Sequence, residues 1–549
     1  MKEEAFKVEV RNPLTTFPRV PKREQGRSLL LFVFRDLQRG IMWTKEGLID
    51  LIHEKLCNYK FILVSNREPY MHRFAGRQIE WVQPASGLTV ALDPIMRACG
   101  GTWIAHGTGD ADWQMVDEQD RVPVPPDDPS FTLLRVRLTR KQEAQYYLGL
   151  ANQGLWPLCH IVFTRPTFRP EDWQAYREVN EIFARAVLEE AGDAPTFVFI
   201  QDFHFALLPR MLKDRNSNLI VAQFWHIPWP NPEVLRGFPW KEELLDGLLG
   251  NDMLGFHLRF HCQNFLDTVD RMMEAKIDRE KYAITRGGKS TSVRAFPISI
   301  DFERHSRMAE SATTEEHMEH WRRTLGLHGE LVGLGIDRID YTKGICERLR
   351  ALDRFLTKHP EYHERLVFVQ VAVPSRSQIP EYKKLEEELD ALVKQINHKY
   401  RRWTARSWRP ILFLKRHYPQ DRLTALHRLG HFCMVSSLHD GMNLVAKEYV
   451  ASRIDEDGVL ILSDFAGASR ELTDAIVVNP FSEEDSVEAI RQALEMPEEE
   501  RRKRMRKMRA VVAENNIYRW AGKIISALLK FEFTNSDESN VSLPVSAFY

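Results

Sequence analysis

Short apolar runs alternate along most of this chain with segments in which apolar residues recur every three or four positions. The runs have the length of strands, and the segments between them have the period of amphipathic helices. A first series of predicted strands covers residues 61–65, 102–105, 131–138, 196–201, 219–225 and 253–257. A second series covers residues 331–336, 366–373, 411–414, 432–436, 459–463 and 476–478. Strands that alternate with helices indicate parallel sheets with right-handed crossovers.

Two such series in 549 residues predict an α/β protein with two doubly wound, Rossmann-like domains that face each other across a cleft. Ligands of such folds bind at the carboxyl ends of strands, so we expect the site in the cleft. We place the first domain at residues 59–305 and the second at 306–515, after an N-terminal extension, 1–58. Residues 516–549 are predicted to hold a final helix, 517–531, and a mobile tail.

Composition changes this picture little. The formal net charge is −1, which gives no argument for nucleic acid or a membrane surface as a partner. The six cysteines are scattered without a CxxC pair, which argues against a zinc ribbon or a disulfide scaffold and fits a reducing cytoplasm. The longest early apolar run, 29–34, is too short to span a bilayer and too deep for a signal peptide. We therefore expect a soluble cytoplasmic protein.

The most informative stretch is SLHDGMNLVAKEY, residues 437–449, which follows the apolar run 431–436. Asp440 and Gly441 supply a turn, and Gly441 allows the backbone to approach a ligand closely. A strand, a turn and a helix start present backbone N–H groups and a positive dipole end, which suits a diphosphate. Glu448, further along the helix, could accept hydrogen bonds from ribose or sugar hydroxyls. On spacing alone, an ordinary strand-to-helix turn is an equally good interpretation.

Two cations follow another predicted strand. Arg338 and Lys343 lie in GIDRIDYTKG, residues 335–344. Two cations at the end of a strand and beside a glycine are well placed to hold a diphosphate. Asp337 and Asp340 leave two alternatives open, namely a carboxylate pair for a metal ion or salt-bridge partners of Arg338.

A carboxylate and an imidazole end two successive predicted strands of the first series. Asp202 follows the strand 196–201, and His226 follows the strand 219–225. Such groups converge at one edge of a parallel sheet and usually belong to a site. A lone histidine at this place is more often structural.

The residue identities resemble those of the trehalose-6-phosphate synthase family, which are retaining glycosyltransferases of family 20 with the two-domain GT-B fold. The likeness runs from about residue 60 to about residue 520. It rests on SLHDGMNLVAKEY and on VSNREPY (64–70), QGLWPLCH (153–160), QDFHFALLP (201–209), FWHIPWPNPE (224–233), GIDRIDYTKG (335–344), QVAVPSR (370–376) and DFAGASREL (464–472). Together these motifs are highly specific, although none of them carries the case alone.

The resemblance implies transfer of glucose with retention from UDP-glucose, or another nucleotide glucose, to glucose 6-phosphate, giving α,α-trehalose 6-phosphate and UDP. It implies no metal or other cofactor, because an arginine and a lysine take the metal's part. The catalytic residues that it implies are Asp202, His226, Arg338 and Lys343. The implied donor-binding residues are Gly87, Arg338, Lys343, Asp440, Gly441, Met442, Asn443, Leu444, Val445 and Glu448. The implied acceptor-binding residues are Arg67, His106, Tyr147, Trp156, Asp202 and Arg376.

Within these implied roles, Arg67, Tyr147 and Arg376 suit a phosphate monoester, because guanidinium groups match its oxygens in bidentate geometry. Arg376 comes from the second domain, so acceptor binding would favour closure of the cleft. Asp202 is expected on the acceptor's hydroxyls and His226 beside the transferred glucose. The resemblance implies no protein nucleophile, since the leaving phosphate takes the acceptor's proton while the new bond forms on the same face. The final helix is expected to pack back onto the first domain.

Departures from the family pattern leave the acceptor open. A family glycine pair is Ser86-Gly87 here, and His106 stands where the family usually has a tryptophan in the acceptor pocket. NREPY also resembles glucosylglycerol-phosphate synthases, so glycerol 3-phosphate is the alternative acceptor, although Arg376 within VPSR favours a hexose phosphate. A non-catalytic sugar-phosphate-binding protein ranks lower, because the donor residues are all present. A nucleotide-dependent dehydrogenase has only GTG, residues 107–109, in its favour.

We expect nucleotide-sugar and sugar-phosphate substrates. A separate phosphatase is expected to act on the product, because the sequence has no Asp-x-Asp-x-Thr motif. The oligomeric state and the nucleotide of the donor are left open, a homo-oligomer being one alternative.

Overall fold

The computed structural model describes residues 43–56, 59–83, 87–401 and 408–531. Within them the chain forms a ten-stranded sheet, a six-stranded sheet and a two-stranded hairpin. The predicted mobile tail, much of the predicted extension and Ser86 lie outside the described residues. The prediction of an α/β fold with doubly wound sheets is confirmed.

The first half is built on the ten-stranded sheet, in the order β10-β11-β12-β9-β8-β7-β1-β4-β6-β5. Its strands are β1 (Lys60–Arg67), β4 (Thr102–His106), β5 (Arg121–Val124), β6 (Phe131–Val136), β7 (Thr196–Gln201), β8 (Leu219–Phe224), β9 (Met253–Phe256), β10 (Lys276–Asp278), β11 (Ala283–Arg286) and β12 (Lys289–Ala295). The pairs from β12 through to β6 are parallel, while β5, β10 and β11 pair antiparallel at the two edges. The strand order reverses between β1 and β7, and ligands of such sheets bind at this reversal.

The second half is built on six parallel strands in the order β15-β14-β13-β16-β17-β18. They are β13 (Leu331–Arg338), β14 (Leu366–Val373), β15 (Ile411–Leu414), β16 (Phe432–Val435), β17 (Val459–Ser463) and β18 (Ile476–Val478). Here the order reverses between β13 and β16. The segment with Arg338 and Lys343 begins at the end of β13, and residues 437–449 follow β16. Both predicted donor-binding segments therefore start at this reversal.

Helices cover both sheets, as the buried faces of parallel strands require. In the first half they are α1 (Lys45–Lys55), α2 (Gly87–Cys99), α3 (Arg140–Glu143), α4 (Trp156–His160), α5 (Pro170–Ala191), α6 (Leu208–Lys213), α7 (Pro232–Leu235), α8 (Lys241–Leu248) and α9 (Arg259–Met272). In the second half they are α10 (Phe302–Glu310), α11 (Ala312–Leu325), α12 (Ile345–Lys358), α13 (Pro380–Lys399), α14 (Gln420–Leu429), α15 (Leu444–Ser452), α16 (Glu483–Glu495) and α17 (Glu498–Glu514). None of the helices in the described ranges combines the length and apolarity needed to cross a bilayer.

The last described helix, α18 (Ile517–Leu528), packs against the first sheet. The indole N–H of Trp520 donates to the carbonyl of Phe296 at 3.1 Å, and its ring lies 5.2 Å from that of Phe224. The hydroxyl of Tyr518 donates to Asp301 Oδ2 at 2.7 Å. Phe296 and Asp301 belong to the segment that leads from the first sheet to the second, so α18 holds that segment against the first half.

The predicted strands all form, with ends that differ by a few residues at most. The elements without a prediction include the hairpin β2 (Met71–Ala75) and β3 (Gln78–Val82), the strands β5 and β10 to β12, and a π-helical segment, Ala144–Leu155. The hairpin is mostly exposed. Its larger apolar side chains, Phe74, Ile79 and Trp81, face solvent, so the core does not dictate these strands.

Candidate active site

The carboxyl ends of the central strands bring the predicted first-half residues together. Arg67 ends β1 and pairs in register with His106 at the end of β4. Asp202 follows β7, and its Oδ1 accepts the backbone N–H of His226, which follows β8, at 3.1 Å. His106 is buried, and its Nδ1 lies 3.1 Å from the carbonyl of Val136. Parallel pairing therefore gathers residues that are far apart in the chain at one edge of the sheet.

Tyr147 joins the two arginines that were predicted to hold a phosphate. Arg67 Nη2 donates to the Tyr147 hydroxyl at 3.1 Å. Burial would raise the pKa of Tyr147, but the guanidiniums of Arg376 and Arg67 outweigh burial and lower it to about 7. His204 stacks on the phenol ring at 5.8 Å. The three predicted phosphate residues thus converge in one pocket that strongly favours negative charge.

Arg376 reaches this pocket from the second half and is held there by its own partners. Its Nη1 donates to Asp340 Oδ2 at 3.1 Å and to the Tyr382 hydroxyl at 2.5 Å. Its guanidinium carbon lies 4.3 Å from the centre of the Trp156 ring, which belongs to the first half. The backbone of Arg376 adopts a left-handed φ of 52°. Such a conformation persists only where surrounding contacts fix it, which fits a side chain that must point in one direction.

Arg338 lies over the same indole ring. Its guanidinium carbon is 5.7 Å from the centre of the Trp156 ring, and its Nη2 is 3.8 Å from Asp340 Oδ2. This contact is too long for a hydrogen bond but close enough for an ion pair, so Asp340 is a salt-bridge partner of Arg338, as one of the alternatives had it. Asp337 instead pairs with Arg348, whose Nη1 donates to Asp337 Oδ2 at 2.6 Å.

Asp202 is a strained and buried carboxylate. Its φ is 71°, a left-handed value that is uncommon outside glycine and asparagine. Burial raises the pKa of Asp202 to about 7, although the backbone N–H groups of Phe203 and His226 counteract part of this effect. A carboxyl group with this pKa can accept a hydrogen bond or hold a proton near neutral pH.

His226 is a neutral imidazole in this site. Burial, followed by the neighbouring His257 and His204, lowers its pKa well below the ordinary value. Its Nε2 lies 2.9 Å from Gln201 Oε1, so this nitrogen carries the proton and donates. The carbonyl of His226 accepts from His257 Nε2 at 3.0 Å. The ring is thereby fixed beside Asp202.

In the second half, Lys343 and Asp440 form a tight pair. Lys343 Nζ donates to Asp440 Oδ2 at 2.5 Å, and both side chains are largely buried. The same oxygen accepts from Asn443 Nδ2 at 3.1 Å and Ser437 Oγ at 3.2 Å. Burial would raise the pKa of Asp440, but Lys343 outweighs it and holds that pKa far below its usual range. Asp440 is therefore ionised and fixes the position of the lysine.

The turn before α15 contains one residue with a left-handed backbone, Asn443, with φ 78°. Asn443 Oδ1 caps the helix by accepting the N–H of Ala446 at 3.2 Å. Leu444 and Val445 then form the first turn, where backbone N–H groups point out of the helix end. Their geometry suits an anion at this end.

Gly441 is also required by a close contact within the protein. A Cβ at this position would lie 2.2 Å from the carbonyl oxygen of His226, so the second half touches the first half backbone to backbone here. Met442 is buried, and its carbonyl accepts the N–H of Ala468 at 2.8 Å. The loop that contains Gly441 and Met442 therefore packs directly against the end of β8, where His226 lies.

If residues 437–449 bind a nucleotide sugar as predicted, we expect Gly441→Ala to lower kcat/KM for it by about a hundredfold, because shifts near 1 Å at a reacting centre have this cost. The added methyl group must push the loop away from His226. Steady-state kinetics measure the effect, with Gly47→Ala as the control, since its nearest neighbouring atom would lie 3.7 Å away. Unchanged kcat/KM in Gly441→Ala would show that the close approach has no bearing on turnover.

Glu448 and Gly87 complete the predicted donor set. Glu448 is half-buried in α15, one turn beyond Leu444. Gly87 is the first residue of α2. The structure gives Glu448 and Gly87 no contact that tests the roles predicted for them.

Several buried residues around the site were not predicted. Arg348 Nε donates to Ser436 Oγ at 2.9 Å, directly before the donor loop. Lys447 Nζ donates to the carbonyl of Ile298 at 2.8 Å and to Glu471 Oε2 at 2.6 Å, which links α15 to the segment between the sheets. The sequence signal that could have identified Arg348 and Lys447 is a cation on the apolar side of a helical segment. Burying such a charge costs free energy unless it is paired.

A comparison with known proteins adds to this geometry. The model of glycosyltransferase family 20 matches residues 59–530. A trehalose-6-phosphate synthase of Mycolicibacterium gilvum is 37% identical over 486 residues, which cover 87% of this chain and 95% of that protein.

Solved structures give the same picture. The UDP-forming α,α-trehalose-phosphate synthase of Burkholderia xenovorans in complex with glucose-6-phosphate superposes with a TM-score of 0.76 at 29% identity, covering 85% of this chain and 99% of that one. The trehalose-6-phosphate protein of E. coli bound with UDP-2-fluoro glucose has a TM-score of 0.76 at 29% identity and covers 86% of this chain and 99% of its own.

Proposed function

The chain belongs to glycosyltransferase family 20, and from this membership we propose that it transfers glucose with retention from UDP-glucose to glucose 6-phosphate. The products are α,α-trehalose 6-phosphate and UDP. The observation that carries the proposal is the pair of arginines on one indole ring, with Arg376 at 4.3 Å and Arg338 at 5.7 Å from the centre of Trp156. One arginine faces the acceptor's phosphate and the other faces the donor's diphosphate, so the two substrates meet over Trp156.

The acceptor's phosphate is held by Arg67, Tyr147 and Arg376. Two guanidinium groups can each bind a phosphate through paired N–H groups, and the phenol adds a hydroxyl donor. Because Arg376 belongs to the second half while Arg67 and Tyr147 belong to the first, a bound phosphate ties the halves together. Acceptor binding and closure of the cleft then favour each other.

The donor's diphosphate is held by Arg338, Lys343 and the amino end of α15. As the glycosidic bond breaks, negative charge builds up on the phosphate oxygen that leaves. Preorganised cations in a buried site stabilise this charge more than the bound donor. The ionised carboxylate of Asp440 already holds Lys343 in place, so positioning the lysine costs no free energy during the reaction.

Asp202 and His226 orient the sugars at the reacting carbon. The Asp202 carboxylate accepts from an acceptor hydroxyl, and neutral His226 lies beside the transferred glucose. We propose that the leaving phosphate takes the acceptor's proton while the new bond forms on the face that it leaves. The protein then contributes positioning and charge stabilisation, and no side chain forms a bond to glucose.

We also propose that the reaction needs no metal ion. The two aspartates that could suggest one are engaged by arginines, Asp337 by Arg348 at 2.6 Å and Asp340 by Arg376 at 3.1 Å. Lys343 and Arg338 supply the positive charge instead. The product is a phosphate monoester, and we propose that a separate phosphatase acts on it.

A release assay tests the proposed function. Purified protein is incubated with UDP-glucose, a chelator and either glucose 6-phosphate or glycerol 3-phosphate, and UDP release is followed. We expect release with glucose 6-phosphate, undiminished by the chelator. Release with glycerol 3-phosphate alone would assign the other acceptor, and no release with either would contradict a glucosyltransferase.

Tyr147 makes acceptor binding dependent on pH. Its lowered pKa of about 7 means that the unoccupied pocket holds a phenolate between the two guanidiniums at higher pH. A phosphate dianion must displace this charge, so binding takes up a proton. We expect KM for glucose 6-phosphate to rise by up to about tenfold per pH unit above this pKa, and Tyr147→Phe to remove the part of the rise that begins there. Equal KM values for the wild-type protein at neutral and alkaline pH would contradict the assignment.

A further inference from the structure

A buried ionic cluster lies directly behind Arg67 and takes no part in the reaction described above. It consists of Glu68, Asp112 and Arg135, whose side chains are all fully buried. Arg135 Nε donates to Glu68 Oε2 at 2.9 Å, and Arg135 Nη2 lies 3.0 Å from Asp112 Oδ1. Two carboxyl groups therefore share one guanidinium away from water, which is costly when both are ionised.

Arg135 is held by further contacts within the cluster. Its Nη1 donates to the carbonyl of Asp112 and its Nη2 to the carbonyl of Tyr70, both at 2.9 Å. Its Nη2 also lies 2.8 Å from His72 Nδ1. The same nitrogen of His72 lies 3.6 Å from Asp112 Oδ1, so this imidazole faces both the guanidinium and a carboxylate of the cluster.

The two carboxyl groups differ in their remaining partners. Asp112 accepts the backbone N–H groups of His72 at 2.7 Å and Gly109 at 2.5 Å, which suit an ionised group. Glu68 Oε1 accepts the N–H of Thr108 at 2.8 Å and faces its hydroxyl at 3.1 Å. A hydroxyl can also accept, so a proton on Glu68 finds a partner there. Burial, and then Asp112, raise the pKa of Glu68 to about 8.

The cluster fixes the backbone that carries Arg67. Strand β1 has an irregular register between Ser65 and Arg67 where it pairs with β4. The hydroxyl of Ser65 donates to the carbonyl of Arg67 at 2.7 Å. On the other side, Glu68 is the next residue and is anchored on Arg135 and Thr108. Arg67 is thus held between two buried anchors, of which only Glu68 can change charge.

We propose that Glu68 is a positioning residue for the acceptor's phosphate, which as a neutral acid holds the peptide of Arg67 in place and which on ionisation beside Asp112 releases it. The proposal rests on the proposed function, since it takes Arg67 as a ligand of that phosphate. It adds a second source of pH dependence to acceptor binding, distinct from Tyr147.

The variant Glu68→Gln tests it, because an amide keeps an acceptor for Arg135 and a donor for the Thr108 hydroxyl but cannot ionise. Its nitrogen cannot accept the Thr108 N–H, and this loss is the same at every pH. The quantity measured is the ratio of wild-type to variant KM for glucose 6-phosphate across pH. The Tyr147 effect is common to both proteins and cancels. We expect the ratio to be constant near neutral pH and to rise by up to about tenfold per unit above the pKa of Glu68, while KM for UDP-glucose does not change.

A thermal measurement tests the shared proton without any substrate. A carboxyl whose pKa is raised on folding binds more protons in the folded state than in the unfolded one, so it destabilises the protein as pH rises between the two pKa values. We expect the Tm of Glu68→Gln minus the Tm of the wild type to increase as pH rises through this range. Glu190→Gln is the matched control, because Glu190 pairs with Arg121 at the other end of the sheet. Its KM for glucose 6-phosphate and its Tm should depend on pH as those of the wild type do.

A constant KM ratio at alkaline pH would overturn the coupling to Arg67, and a constant Tm difference would overturn the shared proton. If Glu68→Gln does not fold, Asp112→Asn replaces it, since removing the second carboxylate also removes the conflict and predicts the same rising ratio. If the wild type forms no trehalose 6-phosphate at any pH, the proposed function fails. The ratio is then taken from equilibrium binding of inorganic phosphate, where its rise supports Glu68 and its constancy overturns it.

Discussion

Lys343→Met is expected to lower kcat by about a thousandfold, because removing one preorganised charge-stabilising donor costs about this much. Lys343 lies largely buried, 2.5 Å from Asp440, where water does not weaken its field. In the proposed mechanism Lys343 acts on charge that develops only as the bond to UDP breaks, so KM for either substrate should change by a few-fold at most. Steady-state kinetics with UDP-glucose and glucose 6-phosphate measure both quantities.

Two controls separate this effect from loss of stability. Lys343→Met leaves Asp440 buried without its lysine, so the double variant with Asp440→Asn should regain Tm but not turnover. Lys213 is a comparable, partly buried lysine outside the proposed site, and its Nζ lies 3.0 Å from Asp252 Oδ2. Lys213→Met should therefore lower the stability of the protein but leave kcat unchanged. Turnover near the wild-type level in Lys343→Met would contradict the role of this lysine.

Arg376→Met is expected to lower kcat/KM for glucose 6-phosphate by about a hundredfold, since a hydrogen-bonded charge pair with phosphate contributes about 3 kcal/mol. Free glucose lacks the phosphate, so its much lower kcat/KM should change little. The ratio between the two acceptors is therefore the measurement, and general damage to the protein cancels in it. Arg376→Lys should recover only part of the loss, because an ammonium lacks the bidentate geometry of a guanidinium.

An unchanged ratio in Arg376→Met would show that the phosphate binds elsewhere. The result also bears on closure, because Arg376 touches Trp156 of the first half at 4.3 Å. A loss confined to phosphorylated acceptors supports a pocket that both halves build.

The parallel strands could be predicted because they are buried on both faces and therefore apolar throughout. Thr196–Gln201 and Leu366–Val373 form with the predicted ends. The hairpin Met71–Ala75 and Gln78–Val82 could not be predicted, since most of its side chains face solvent. Edge strands such as Arg121–Val124 depend on pairing with a neighbour that sequence alone does not identify.

Part of the site could be predicted from the sequence in the same way. Residues that end parallel strands, such as Arg67 and Asp202, could be placed at one edge because topology brings strand ends together. Their partners could not, because the pairs Lys343 with Asp440 and Asp340 with Arg376 join residues far apart in the chain. The left-handed backbones of Asp202 and Arg376 also escaped prediction, since local sequence disfavours them and only tertiary contacts impose them.

The measurement that tests the central claim most directly is the configuration of the product. Protein, UDP-glucose labelled with ¹³C at the anomeric carbon and glucose 6-phosphate are incubated, and the product is assigned by NMR. We expect a labelled α,α-linked disaccharide that carries one phosphate, as transfer with retention between the two arginines over Trp156 requires. A β linkage at the labelled carbon, or label recovered only as free glucose, would contradict the account.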